Sequence, residues 1–93
     1  MALLLSSCMR EKLSGKHRVD EEEIVQCFAN CSGGYLEDQR EEHLTDPPTR
    51  WFIAETDYGR LLKIVFIQKD ADTLIKTAYE PSPSELGIYR RFS

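Results

Sequence analysis

The chain has 93 residues, of which 41% are hydrophobic and 30% charged, and its formal net charge is −4. That composition fits one small domain, residues 1–93, with a modest core, and it excludes a disordered chain. The acidic balance excludes bulk electrostatic capture of nucleic acid but leaves open a local basic site on an acidic body.

Residues 2–5 are apolar, and Ser6 or Ser7 can cap a helix. Cys8, Met9, Lys12 and Leu13 recur at helical spacing, and Gly15 supplies a stop, so a short first helix is expected. Lys16-His17-Arg18-Val19 reads as a linker. Asp20 then opens a second helix. Asp20 with Glu23 makes an aspartate variant of the capping box, and Val19 and Ile24 stand at the staple positions. Glu21, Glu22 and Glu23 put negative charge at the positive end of the helix dipole. Ile24, Cys27, Phe28 and Cys31 form one apolar stripe, and Ser32-Gly33-Gly34 ends the helix.

Residues 35–39 read as a short edge strand, followed by a charged segment and a rigid loop around Pro47 and Pro48. The stretch from 50 to 79 organises the chain. Its three runs, 51–54, 61–67 and 73–79, are β-branched and aromatic. Gaps as short as Asp57-Tyr58-Gly59 and Lys69-Asp70-Ala71-Asp72 cannot hold a crossover helix, so the runs form an antiparallel meander. After it, Glu80-Pro81-Ser82-Pro83 breaks the sheet, and residues 84–91 predict a short helix that Gly87 weakens. The expected fold is therefore α+β: two N-terminal helices and a short C-terminal helix on a three- to four-stranded antiparallel sheet.

A tight hairpin at Tyr58-Gly59 pairs Ile53 with Ile64 and Trp51 with Phe66. A four-residue loop at 69–72 pairs Phe66 with Ile75 and Ile64 with Thr77. Opposed residues share a face. Trp51, Ile53, Leu62, Ile64, Phe66, Ile75 and Tyr79 then face the helices. Arg50, Phe52, Ala54, Lys63, Val65, Lys76 and Ala78 face the other way, with Arg50, Lys63 and Lys76 forming a small basic patch.

Cys8, Cys27 and Cys31 are an odd set with no secretory signal before them, and no run reaches the length of a membrane span, so a reducing, cytoplasmic home is expected. Cys27 and Cys31 lack the further ligands a zinc site needs and read as small buried hydrophobes. No metal or other cofactor is expected. Ser32-Gly33-Gly34 lacks the lysine of a phosphate loop. The carboxylate runs at 20–23 and 37–42 read as solvated surface. Lys16-His17 carries more chemistry: histidine moves protons near neutral pH, and lysine stabilises developing negative charge. Arg60, Lys63 and Lys76 are candidate phosphate contacts, and Tyr58 or Tyr79 can stack on a base.

The order of these features resembles a known group. Lys16-His17, Val19, an acidic helix start with Ile24-Val25 and Phe28, Gly59-Arg60-Leu61-Leu62, Ile75-Lys76-Thr77-Ala78 and a closing Glu85 and Tyr89 are similar to the small toxin ribonucleases of toxin–antitoxin pairs, of the BrnT type within the RelE-like group. The resemblance spans residues 16–91. It implies helices on an antiparallel sheet, metal-independent RNA cleavage by attack of the ribose 2′-hydroxyl, and a cognate antitoxin protein that blocks the active face. It implies catalytic roles for Lys16, His17, Arg60, Glu85 and Tyr89, and RNA contacts from Arg50, Lys63, Lys76 and Tyr79. The family often has arginine where this chain has Tyr79, and a strand usually precedes its first helix, where residues 1–5 are short. The chain also looks like small proteins labelled ADP-ribosyl-(dinitrogen reductase) hydrolase, a class that is far larger, all-helical and equipped with paired aspartate ligands that are missing here. A non-catalytic interaction module is the alternative of a different class. No membrane is expected, and homo-oligomerisation is left open.

Overall fold

The computed structural model describes residues 2–5, 7–37, 48–69 and 71–92. The elements in order are β1 (Ala2–Leu4), α1 (Ser7–Lys12), a π-helical turn (Leu13–His17), α2 (Glu21–Asn30), β2 (Leu36–Glu37), β3 (Thr49–Glu55), β4 (Leu61–Lys69), β5 (Asp72–Tyr79) and α3 (Pro83–Phe92). The class is α+β. The sheet has five strands in the order β1-β5-β4-β3-β2, and β1 runs parallel to β5. The expected antiparallel sheet is thus corrected to a mixed one. Three apolar residues carry no alternation, so β1 left no strand signature of its own.

Gly15 does not stop the first helix. The chain passes through it in a wide turn, and Leu13 O accepts from the backbone N–H of both Arg18 and Val19, the latter at 2.9 Å. Arg18 closes the turn in the left-handed region, with φ of 54°. This geometry buries Leu13 and Val19 in the same core, which a glycine stop two residues after Leu13 would not have done. Lys16 and His17 therefore sit in a helical turn rather than a linker. The second helix follows the sequence closely. Both hydrogen bonds of the Asp20–Glu23 capping box form, at 2.9 and 3.2 Å. Ile24 and Cys27 are fully buried, with Phe28 and Cys31 packed at the edge of the core.

The meander forms, but its first register differs by one residue. Thr56 N–H donates to Arg60 O at 2.9 Å, and Gly59 takes φ of 84°, so the loop is the three residues Asp57-Tyr58-Gly59. The pairs are Ile53 with Lys63, Phe52 with Ile64 and Trp51 with Val65. Because side chains alternate, this slip exchanges the faces of β3 relative to β4. Phe66 does pair with Ile75, whereas a bulge beside Val65 and Phe66 moves Ile64 opposite Ala78 and leaves Lys76 as the extra residue.

The two sheet faces now have clear owners. Phe52, Leu62, Ile64, Phe66, Ile75 and Ala78 form the face under α2, where Phe28 lies 4.7 Å from the Phe52 ring and 5.3 Å from that of Phe66. Trp51, Ile53, Lys63 and Tyr79 share the opposite face, and α3 lies across it, with Tyr89 5.8 Å from the Trp51 ring. The sheet is thus covered by helices on both sides.

The third helix, expected from residue 84, starts at Pro83, a residue well suited to the first helical position. Ser82 and Glu85 close a reciprocal capping box at 3.2 and 3.0 Å. Gly87 is exposed in the middle of this helix, and a Cβ there would meet nothing within 4 Å. Gly87→Ala is expected to raise stability by about 0.5–1 kcal/mol, read as a higher urea midpoint at unchanged slope. Among the described residues no helix is long and apolar enough to cross a membrane.

Candidate functional site

Lys63, Tyr79 and Glu85 converge on one end of the sheet, where β4 begins and β5 ends. Lys63 stands opposite Tyr79 in the register. Glu85, in the first turn of α3, reaches both: its Oε2 accepts from Lys63 Nζ at 2.6 Å and from the Tyr79 hydroxyl at 2.7 Å. Its Oε1 closes the helix cap with Ser82 N–H. One carboxylate therefore fixes a helix start, a lysine and a tyrosine together. The Lys63 ammonium also lies 4.4 Å from the Trp51 ring centroid and 5.6 Å from that of Tyr79, an aromatic corner that favours the cation.

Electrostatics follow from these contacts. Burial alone would raise the Glu85 carboxyl, but the Lys63 ammonium, the Ser82 N–H and the Tyr79 hydroxyl outweigh it and hold it down at about 2. Glu85 is thus a fixed anion at neutral pH. The Tyr79 hydroxyl is pushed up from its ordinary value, first by burial and then by its bond to Glu85. It stays protonated and donates.

His17 ends the π turn, and its ring centroid is 5.8 Å from that of Tyr79. The histidine is half-buried, and Lys16 beside it is exposed. Below them Arg60 binds several groups at once. Its Nη1 donates to Arg18 O at 2.7 Å and to both Glu23 oxygens at 3.1 and 2.9 Å, and its Nη2 donates to His17 O at 3.1 Å and Glu80 Oε2 at 3.2 Å. The guanidinium thus ties the carbonyl end of the π turn to α2 and to the end of β5. Burial alone would lower its pKa, but the bonds to Glu23 and Glu80 raise it, so its charge is permanent.

The remaining candidates lie elsewhere. Arg50 is opposite Phe66, so it belongs to the α2 face, away from Lys63. Lys76 is exposed at the bulge. The basic patch of Arg50, Lys63 and Lys76 is therefore not assembled: the three-residue hairpin loop separates its first two members, and Glu85 neutralises Lys63. Tyr89 reaches past Trp51, and its hydroxyl donates to Gly34 O at 2.9 Å. Tyr58 is 93% exposed at the hairpin tip, two residues before Arg60, where its backbone N–H donates to Thr56 Oγ1 at 3.3 Å.

Cys27 is fully buried, and burial, followed by the Glu23 charge, pushes its thiol up to about 12. It holds no thiolate at neutral pH and serves as packing. His43 and part of the second carboxylate run lie outside the described residues. Among the described residues no group of three or more His, Cys, Asp and Glu side chains is placed to hold a metal ion.

Sequence reasoning missed two parts of this site. The expected registers set Trp51 and Tyr79 on the face opposite Lys63; the three-residue hairpin loop brings Trp51 to the Lys63 face, and the β5 bulge brings Tyr79 there. The Ser82–Glu85 cap was legible as S-x-x-E immediately before the last helix. No protein-family model matches the chain, and no curated protein matches it.

Proposed function

We propose that this protein is a toxin-like, metal-independent endoribonuclease, held in check by a cognate antitoxin protein. The observation that supports the reading is His17 set against Tyr79, which is itself joined to Lys63 through Glu85, four residues from four elements of the chain. A leading strand before the helices, β1, also fits the pattern of the BrnT-type, RelE-like ribonucleases. In this reading His17 takes the proton of a ribose 2′-hydroxyl, and the 2′-oxygen attacks the adjacent phosphorus. The 5′-oxygen leaves and takes a proton from solvent at this open surface. Lys16, exposed beside His17, carries charge to the phosphate. Lys63, Glu85 and Arg60 hold the site in shape.

The second reading is a non-catalytic interaction module. It is favoured by the internal ion pairs of Arg60 and Lys63, which take two expected phosphate contacts out of play. Incubation with RNA separates the two. The ribonuclease reading expects products ending in a cyclic phosphate, no effect of EDTA, and a fall of about 10²-fold or more in His17→Ala. Intact RNA after incubation with the wild-type chain would overturn it.

A further inference from the structure

A cleft of about 600 Å³ opens away from the His17 cluster, between the end of β3, the C-terminal end of α2 and helix α3. Its volume falls in the usual range of ligand clefts. Four consecutive β3-side residues, Ile53, Ala54, Glu55 and Thr56, line it, so one wall is a strand edge. Among the described residues no strand pairs with Ile53 or Glu55 on that edge. β2 pairs only with Arg50 and Trp51.

The hydrogen-bonding direction of each edge residue follows from the hairpin. Thr56 N–H points to Arg60 O on the β4 side. In an antiparallel pair this direction alternates along the strand. Ala54 and Phe52 therefore point toward β4, while Ile53 and Glu55 point outward. The Asn30 side chain takes Glu55 O at 3.0 Å, which agrees with that alternation. Among the described residues the backbone groups of Ile53 and the N–H of Glu55 have no strand partner and remain aimed at the cleft.

The walls add selectivity. Leu61, Leu86 and Tyr89 supply an apolar floor, and the carboxylates of Glu55 and Asp57 stand on the strand side. Arg90 stands on the helical side, so a run of cations would be repelled there, whereas a single cation over the strand would be attracted.

We propose that this cleft receives an extended peptide segment of a partner protein, which adds to the outer edge of β3 at Ile53 and Glu55. One apolar side chain of the segment sits on Leu61, Leu86 and Tyr89, and one cationic side chain lies over Glu55 and Asp57. This is strand addition, in which main-chain hydrogen bonds give affinity and side-chain pockets give choice. The inference is independent of ribonuclease activity, since none of these residues belongs to the His17 cluster.

The test uses the ¹⁵N-labelled full chain and a blocked pentapeptide, Thr-Lys-Val-Thr-Val, with a second peptide carrying glutamate in place of lysine. The lysine peptide is expected to shift the amides of Ile53, Glu55, Asp57 and Leu86 and to saturate at millimolar concentration or below. Glu55→Lys changes an exposed side chain, and an otherwise unchanged spectrum verifies its fold. It should weaken the lysine peptide by roughly tenfold and spare or strengthen the glutamate peptide. Three results would overturn the proposal: no shifts at these amides, shifts centred elsewhere, or equal binding of both peptides by wild type and Glu55→Lys. Concentration-dependent shifts at the same amides without peptide would assign the cleft to a second copy of the chain and overturn it as well.

Discussion

Lys63→Ala is expected to cost about 2–3 kcal/mol of folding stability, a fall of roughly 10–20 °C in Tm for a chain of this size. The Lys63 side chain is only 9% exposed and that of Glu85 25%. Removing the ammonium leaves a carboxylate that solvent reaches only in part, with the Tyr79 hydroxyl and the Ser82 N–H as its remaining partners. The upper end of the range for a broken buried pair is discounted because Glu85 keeps some water. Lys63→Met combined with Glu85→Gln should be milder than Lys63→Ala. Glutamine keeps the helix cap through its one amide oxygen, its NH2 then donates to the Tyr79 hydroxyl oxygen, and methionine fills the aromatic corner without charge. Chemical denaturation of the single and double variants gives the coupling energy directly. A double variant as unstable as Lys63→Ala would show that the ion pair is not the source of the cost.

The same pair sets a pH dependence. Glu85 is held at about 2 against an ordinary value of 4.5. Its contribution is therefore complete above pH 4.5 and is lost as the pH falls toward 2. Wild type should lose on the order of 2 kcal/mol more than Glu85→Gln across that window. Parallel curves for the two proteins from neutral pH to pH 3 would contradict this.

What the sequence made legible was decided by how locally each feature is determined. The Asp20 cap needs only four residues and their hydrogen bonds, and it formed as read. The hairpin was misread because Asp57-Tyr58-Gly59 permits either a two- or a three-residue loop, and Gly59 supplies the positive φ for both. That single residue decided whether Lys63 faced Arg50 or Trp51. β1 is a still more distant matter. Its three residues acquire strand character only by lying beside Asp72, Thr73 and Leu74. The meeting of His17 and Tyr79 likewise depends on a π turn that no local pattern announced. The resemblance points to Glu85 by its place in the sequence, but its hold on Lys63, Tyr79 and the α3 cap is a property of the assembled fold.

Arg60 should prove a positioning residue, and Arg60→Ala is expected to destabilise by about 2–3 kcal/mol. Its pair with Glu80 adds little, because that carboxylate side chain is 69% exposed. The larger loss comes from Glu23, only 23% exposed, together with the carbonyls of His17 and Arg18. Arg60→Lys should recover little of it. A lysine ammonium is one point charge, whereas the planar guanidinium reaches the π turn, α2 and the end of β5 from two nitrogens. The local readout is the Val19 amide, which donates to Leu13 O across the π turn. Its hydrogen-exchange protection should fall further in Arg60→Ala than that of the β4 amides, because the clamp holds that turn and not the sheet. If RNA is cleaved, loss of the clamp should lower kcat by roughly tenfold or more through a displaced His17, with a smaller change in KM. A direct phosphate contact predicts the opposite split, a KM that rises and becomes less sensitive to salt while Val19 stays protected. An undisturbed Val19 amide in a normally stable Arg60→Ala protein would remove the clamp from the account of this site.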